Sequence, residues 1–304
     1  MNPPDHASAS AERDPSGGER DPARGERDPA RGERDYVLGT HDAEITRLGF
    51  QHSVWRDEVH QAWRTAGIGP GASVLDVGAG PGFASLDLAE LVGSGGRVVA
   101  VERSRRFLDL LTAEAAARGL ANITATELDL MVDPLPLPHP ATGYDAAWCR
   151  WVACFVPDPA LLVRKIAGAL RPGGRAVFHE YSDYGTYGLL PRDPAVAGFV
   201  EAVFESWRML GGEPNIARVL PHTLAEHGLA LEHVRPIARA ARPTDRLWNW
   251  PAGFARTNVP RLVELGIRSA EWGREVLDAI ESAERDAAAV FITPTVLEIV
   301  AVKR

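Results

Sequence analysis

The chain has 304 residues, is 45% hydrophobic and 24% charged, and carries a formal net charge of −8; it is ordinary for a globular protein of one large domain or two small ones. The acidic balance excludes a non-specific nucleic-acid binder, which would show a basic patch. Cys149 and Cys154 are the only cysteines, so neither a disulfide framework nor a metal site is expected, and no apolar run approaches the ~20 residues of a membrane span.

Residues 1–35 are low-complexity: Gly18 to Arg24 recurs as Gly25 to Arg31 and begins again at Gly32. Each copy carries a proline and a glycine and offers no apolar seam, so this segment is expected to be a disordered tail. The polar N-terminus is no secretory signal, and with reduced thiols a cytoplasmic protein is expected. The ordered domain is expected over 36–304, with a helical cap over 36–70. Thr40 could cap a first helix. A second is predicted from Ser53 to Ala66, with Trp55, Val59, Ala62 and Trp63 on one face.

Val74-Leu75-Asp76-Val77 then reads as a short buried strand running into Gly78-Ala79-Gly80-Pro81-Gly82 and a helix from Phe83. Glycines allow positive φ and close approach of a ligand to the backbone. A dinucleotide fingerprint spaces its glycines G-x-G-x-x-G. Here Phe83 stands where the third glycine belongs, and Asp76 sits where a carboxylate would repel phosphate and attract a cation. The second strand, Arg97 to Val101, ends in Glu102, and the third, Ile123 to Leu128, ends in Asp129-Leu130. Glu127 competes with Asp129 for the acidic role. The fourth runs from Tyr144 to Cys149 into Arg150-Trp151. A helix opening at Asp158-Pro159 ends in the turn Leu170-Arg171-Pro172-Gly173-Gly174, before a fifth strand over Ala176 to Tyr181. Residues 185–225 and 240–290 read as helical inserts, the second with Leu262, Leu265 and Ile267 on one helix. Leu229 to Ile237 and Pro294 to Val302 suit the sixth and seventh strands.

The acidic strand, the glycine turn and the two later strand-end acids resemble the class I S-adenosylmethionine-dependent methyltransferases, in their small-molecule, natural-product branch akin to ubiquinone and menaquinone biosynthesis. The resemblance is specific over 74–180 and loose in the inserts. It implies an α/β, Rossmann-like sheet of order 3-2-1-4-5-7-6. It further implies S-adenosyl-L-methionine as cofactor, held by Asp76, Gly78, Gly80, Glu102, Asp129 and Leu130. Tyr36 and Gln51 would join from the cap, and Arg150 would meet the cofactor carboxylate or the acceptor, unless it only closes a salt bridge.

The function expected from this resemblance is in-line methyl transfer to a small, planar acceptor such as an indole or phenol. Trp55, Trp151, Tyr184, Trp248 and Trp250 are the expected acceptor walls, although any single tryptophan could serve the core alone. His179 and Tyr181 should point one way from the fifth strand and Glu180 the other; His179 or Tyr181 is the expected base or orienter, with Glu180 as the alternative. Arg150-Trp151-Val152 replaces the (D/N)-P-P-(Y/F) signature of amino-group methylation. The expected partner is a small molecule, with neither nucleic acid nor membrane; a homodimer stays open. A non-catalytic cofactor-binding protein and an NAD(P)-dependent oxidoreductase are the alternatives.

Overall fold

The computed structural model describes residues 41–138 and 142–304, so the tail, Tyr36 and Thr40 lie outside the described residues. The cap is one helix, α1 (Asp42–Thr65), instead of two. His41 caps it, its Nδ1 accepting from the Glu44 N–H at 3.2 Å. Continuity follows from its buried face, which runs unbroken through Gln51, His52, Trp55, Val59 and Trp63.

Next come β1 (Ser73–Val77), α2 (Phe83–Val92), β2 (Arg97–Glu102), α3 (Arg105–Ala117), β3 (Ile123–Glu127), β4 (Tyr144–Arg150), α4 (Pro159–Ala169) and β5 (Leu170–Asp183). β5 is longer than expected. Leu170 pairs with Tyr144, and the register then jumps to Arg175 opposite Ala146. The Pro-Gly-Gly segment therefore bulges within the strand entry instead of preceding it. Gly174 permits this, because a Cβ there would lie 2.7 Å from the Tyr144 carbonyl oxygen.

The remainder holds β6 (Gly188–Leu190), α5 (Pro194–Met209), α6 (Leu220–Glu226), β7 (Leu229–Ile237), β8 (Ala240–Ala241), α7 (Asn249–Glu264), α8 (Ala270–Arg285), β9 (Val290–Ile292) and β10 (Thr295–Lys303). Leu265 does not share the buried helical face. α7 stops at Glu264 because the Gly266 and Ile267 N–H groups fold back to Val263 and Leu262, with Gly266 at φ 70. This is a glycine-closed helix end, and it leaves Leu265 45% exposed.

The main sheet has seven strands in the order β3-β2-β1-β4-β5-β10-β7. The first five are parallel, and β10 lies antiparallel between β5 and β7. With β7 and β10 as the sixth and seventh strands of this sheet, the α/β Rossmann-like architecture holds. Val74, Leu75, Val98, Val101, Ala147 and Phe178 are all buried, as expected of strands covered on both faces. A second sheet, β6-β9-β8, was not legible as strands; two- and three-residue strands are too short to show a period. In such sheets ligands bind beyond the carboxyl ends of the strands, and here β1, β2 and β4 all end beside the glycine turn.

Candidate functional site

The turn after β1 needs its glycines for different reasons. Gly78 has φ 67, and a Cβ there would lie 2.5 Å from Val152 Cγ2. Gly82 has φ 85, and a Cβ there would collide with Leu111. Gly80 has φ 56 but faces open space. The turn is also tied to β2, since the Gly80 N–H donates to Glu102 Oε2 at 3.0 Å.

Two cavities flank this turn and share Gly78, Trp151 and Phe155. The first is aromatic and encloses about 930 Å³ with its open mouth, between Asp76, Arg150, Tyr181, Tyr184, Trp207, Trp250 and Phe254. The second encloses about 1300 Å³ with its mouth. Glu102, Leu128, Asp129, Leu130 and Met131 line it on one side and Val156 to Pro157 on the other.

Asp76 is 2% exposed and accepts from Ser85 Oγ at 2.5 Å. Burial pushes its pKa up to about 6, against the Ser85 hydrogen bond and the nearby Arg150. The Arg150 Nη2 lies 3.1 Å from His52 Nδ1, while Nη1 is buried with no hydrogen-bond partner among the described residues. Desolvation lowers the Arg150 pKa to about 10, so it remains a cation at neutral pH. Gln51 lines the same cavity, its Oε1 accepting from Arg47 at 3.1 Å and Trp250 Nε1 at 2.9 Å.

In the second cavity, Glu102 accepts from the N–H groups of Gly80, Arg103 and Ser104. Both its oxygens are therefore engaged. Of about four acceptor positions on a carboxylate, one remains on Oε2, so Glu102 is not free to take two hydroxyls on its own. Asp129 Oδ1 accepts from the Met131 N–H at 2.8 Å, and the Leu130 carbonyl accepts from Lys165 Nζ at 2.7 Å. Glu127 is exposed and lies outside this lining.

The β5 residues do not act together. His179 is wholly buried, 3.1 Å from Glu298 through Nε2 and edge-on to Trp148, and lines neither cavity. Burial lowers its pKa, against the pull of Glu298. Glu180 is also wholly buried and outside both linings. Its Oε1 accepts from the Val152 and Ala153 N–H groups at 2.7 and 2.8 Å, and burial pushes its pKa up to about 7 against those bonds. It thereby fixes the turn that holds Trp151 at φ 52, a left-handed conformation that costs a bulky residue ~1–3 kcal/mol and concentrates at functional sites. Only Tyr181 of the three reaches the aromatic cavity, stacked on Trp151 with ring centroids 5.5 Å apart. Burial drives its phenol pKa well up, so it stays protonated.

Among the expected walls, Trp151, Tyr184 and Trp250 line the aromatic cavity, but Trp55 and Trp248 do not. Trp55 packs edge-on behind Trp151 and Trp250, at 5.4 and 5.1 Å. Trp248 donates to Glu284 Oε1 at 2.9 Å and meets Phe291 edge-on. Trp55 thus supports the walls from behind, for which an indole is large enough, whereas Trp248 packs on Phe291, outside the lining. Sequence reasoning missed Arg47, Ser85, Phe155, Tyr187, Trp207 and Phe254. Only Ser85 had a local signal, on the first turn of the helix behind Asp76.

Residues 75–178 match the family described as "Methyltransferase domain". The chain is 30% identical over 156 residues to a 2-phytyl-1,4-naphtoquinone methyltransferase of Synechococcus elongatus, covering 51% of this chain and 61% of that relative. It is 36% identical over 106 residues to nocamycin O-methyltransferase of Saccharothrix syringae, covering 35% of this chain and 36% of that one. The chain thus spans less than two thirds of these curated relatives. Among solved structures, geranyl diphosphate C-methyltransferase of Streptomyces coelicolor, determined with S-adenosyl-L-homocysteine, superposes with a TM-score of 0.53 at 15% identity, over 83% of this chain and 77% of that one. The chain is thus similar to methyltransferases over the matched domain, and its fold is shared with a methyltransferase solved with S-adenosyl-L-homocysteine.

Proposed function

We propose that the protein transfers the methyl group of S-adenosylmethionine to a small, planar, aromatic acceptor. The carrying observation is the pair of cavities joined at Gly78 and Trp151. Adenosine belongs in the cavity of Glu102 and Asp129, and the sulfonium at the neck beside Asp76. The acceptor then stands on the aromatic side, where offset stacking is worth ~0.5–1.5 kcal/mol per ring. Indoles and phenols suit these walls, and so do quinone-like rings such as the one in the name of the cyanobacterial relative.

The sulfonium is an activated leaving group, so the residues here chiefly align the partners, which offsets ~7–11 kcal/mol of barrier. Tyr181 orients the acceptor through its protonated hydroxyl. His179 and Glu180 support the site from behind. Titration calorimetry with S-adenosylhomocysteine and NAD(P)H separates this reading from an oxidoreductase: the first ligand binds and the second does not. Incubation with S-adenosylmethionine and aromatic metabolites then yields a product heavier by one methylene, a methyl group having replaced a proton. Binding without any such product across acceptor classes would instead indicate a non-catalytic binding protein.

A further inference from the structure

Arg150 is not held in place by an acid of its own. Its Nη2 lies 3.1 Å from His52 Nδ1. A guanidinium only donates, so Nδ1 must be the bare nitrogen, and the ring proton sits on Nε2. That nitrogen lies 3.0 Å from Asp87 Oδ2. Asp87 is gripped in turn by Arg56, at 2.7 and 2.9 Å, and by His60, at 3.0 Å. His52 on α1 and Asp87 on α2 are 7% and 6% exposed and line neither cavity. Arg150 does line the aromatic cavity, and its Nη1 is buried without a partner among the described residues. Such a nitrogen is costly unless a ligand supplies an acceptor. Asp76 and Arg47 also line the cavity, but Arg47 is paired with Glu44; Asp76 and Arg150 are left as one anion and one cation, the complement of an α-amino-acid zwitterion.

We propose that His52 and Asp87 are positioning residues that hold Arg150 as the receptor for a carboxylate in the aromatic cavity. The inference rests on the methyltransferase reading above. The carboxylate has two sources, the amino-acid end of the cofactor or an acidic group on the acceptor. His52 works only while neutral, because a proton on Nδ1 would confront the Arg150 N–H. The charged groups facing it are Asp87 from α2, Arg150 from β4 and Arg56 from its own helix, and Phe83 stacks on its ring. Burial lowers its pKa, against the Asp87 hydrogen bond.

The test titrates the full chain with S-adenosylhomocysteine and with its decarboxylated analogue, which keeps the ammonium. The variants are Arg150→Met, His52→Gln and His52→Asn. Glutamine keeps a donor toward Asp87 but offers Arg150 no acceptor; asparagine places its amide oxygen where Nδ1 lies. Wild type is expected to prefer the carboxylated ligand about tenfold or more, as a charge-assisted bond implies. Arg150→Met and His52→Gln bring that ratio toward one with the analogue's affinity unchanged, and His52→Asn restores most of it. In wild type the ratio falls at acidic pH, below the ordinary histidine range, where His52 gains its proton. Asp76 also takes up a proton on acidification but faces an ammonium common to both ligands, so its effect cancels.

A wild-type ratio near one, with a KM for a carboxylated acceptor raised about tenfold in His52→Gln and kcat unchanged, assigns the carboxylate to the acceptor. If His52→Gln matches wild type in both arms, or weakens both nucleosides equally, the proposal is overturned. Failure of wild type to bind S-adenosylhomocysteine at all would instead sink the methyltransferase reading.

Discussion

At the scale of single residues, Asp76 combines burial with a charge. Its carboxyl sits at about 6, well above an exposed aspartate, because burial outweighs the Ser85 hydrogen bond. The folded state therefore holds the Asp76 proton more tightly than the unfolded chain does. Each tenfold difference in proton affinity between the two states is worth ~1.4 kcal/mol. That contribution to stability is complete below the unfolded pKa and is lost as pH rises through about 6. Cation binding has the opposite sign, since it needs the ionised form and weakens below about 6. Asp76→Asn should raise the melting temperature at pH about 8 while lowering cofactor affinity about tenfold or more. Thermal melts and calorimetry at two pH values check both. A variant that binds the cofactor normally would remove Asp76 from the site.

Glu180 makes a different prediction from the one its place on β5 suggests. Its Oε1 serves two buried N–H groups, so Glu180→Gln keeps an acceptor and should be near wild type in stability. Glu180→Ala strands both donors, at ~1–3 kcal/mol each, and loosens Trp151 between the two cavities. If the alanine variant melts with wild type, this supporting role is wrong. The acids were legible in the sequence because they stand at strand ends next to a glycine turn. That Glu102 spends three acceptor positions on backbone was not, because loop curvature decides it.

At the scale of elements, the glycine turn is the part most fully written in the sequence, since apolar runs, strand-end acids and glycine spacing are all local signals. Gly78→Ala should be the damaging change, combining positive φ with a clash against Val152, at ~1–3 kcal/mol of strain and a matching loss of cofactor affinity. Gly80→Ala meets open space and costs only the left-handed conformation, ~1–2 kcal/mol. Chemical denaturation of the pair checks the order, and equal cost would show that Val152 yields freely. Less legible was the aromatic cavity. Its rings come from α2, β4, β5, α5, α7 and the segments that follow β4 and β5, and no sequence spacing records which of many tryptophans face inward. Trp55 and Trp250 both looked suited to line it; packing puts Trp55 behind Trp250.

At the scale of the whole molecule, the main sheet supplies the strand ends, and α1, α5 and α7 roof the aromatic side. The cap is bound to the later insert by Gln51 to Trp250 and by Arg246 to Ser53, contacts that join distant parts of the chain and were invisible to periodicity. Loosening the roof should act on the acceptor more than on the nucleoside. Trp250→Ala should raise acceptor KM about tenfold or more and leave the affinity for S-adenosylhomocysteine within about threefold, as steady-state kinetics and calorimetry would show. Equal losses in both would mean that the roof serves the cofactor as well.

The most direct measurement is a crystal structure with S-adenosylhomocysteine bound. Adenine should lie against Asp129 to Met131 and ribose beside Glu102. The sulfur should sit at the neck between Gly78 and Trp151, with the amino-acid end near Asp76 and the rest of the aromatic cavity left for an acceptor. A nucleoside seated among the rings of Tyr184, Trp207 and Phe254, or a ligand in neither cavity, would contradict this division of the site.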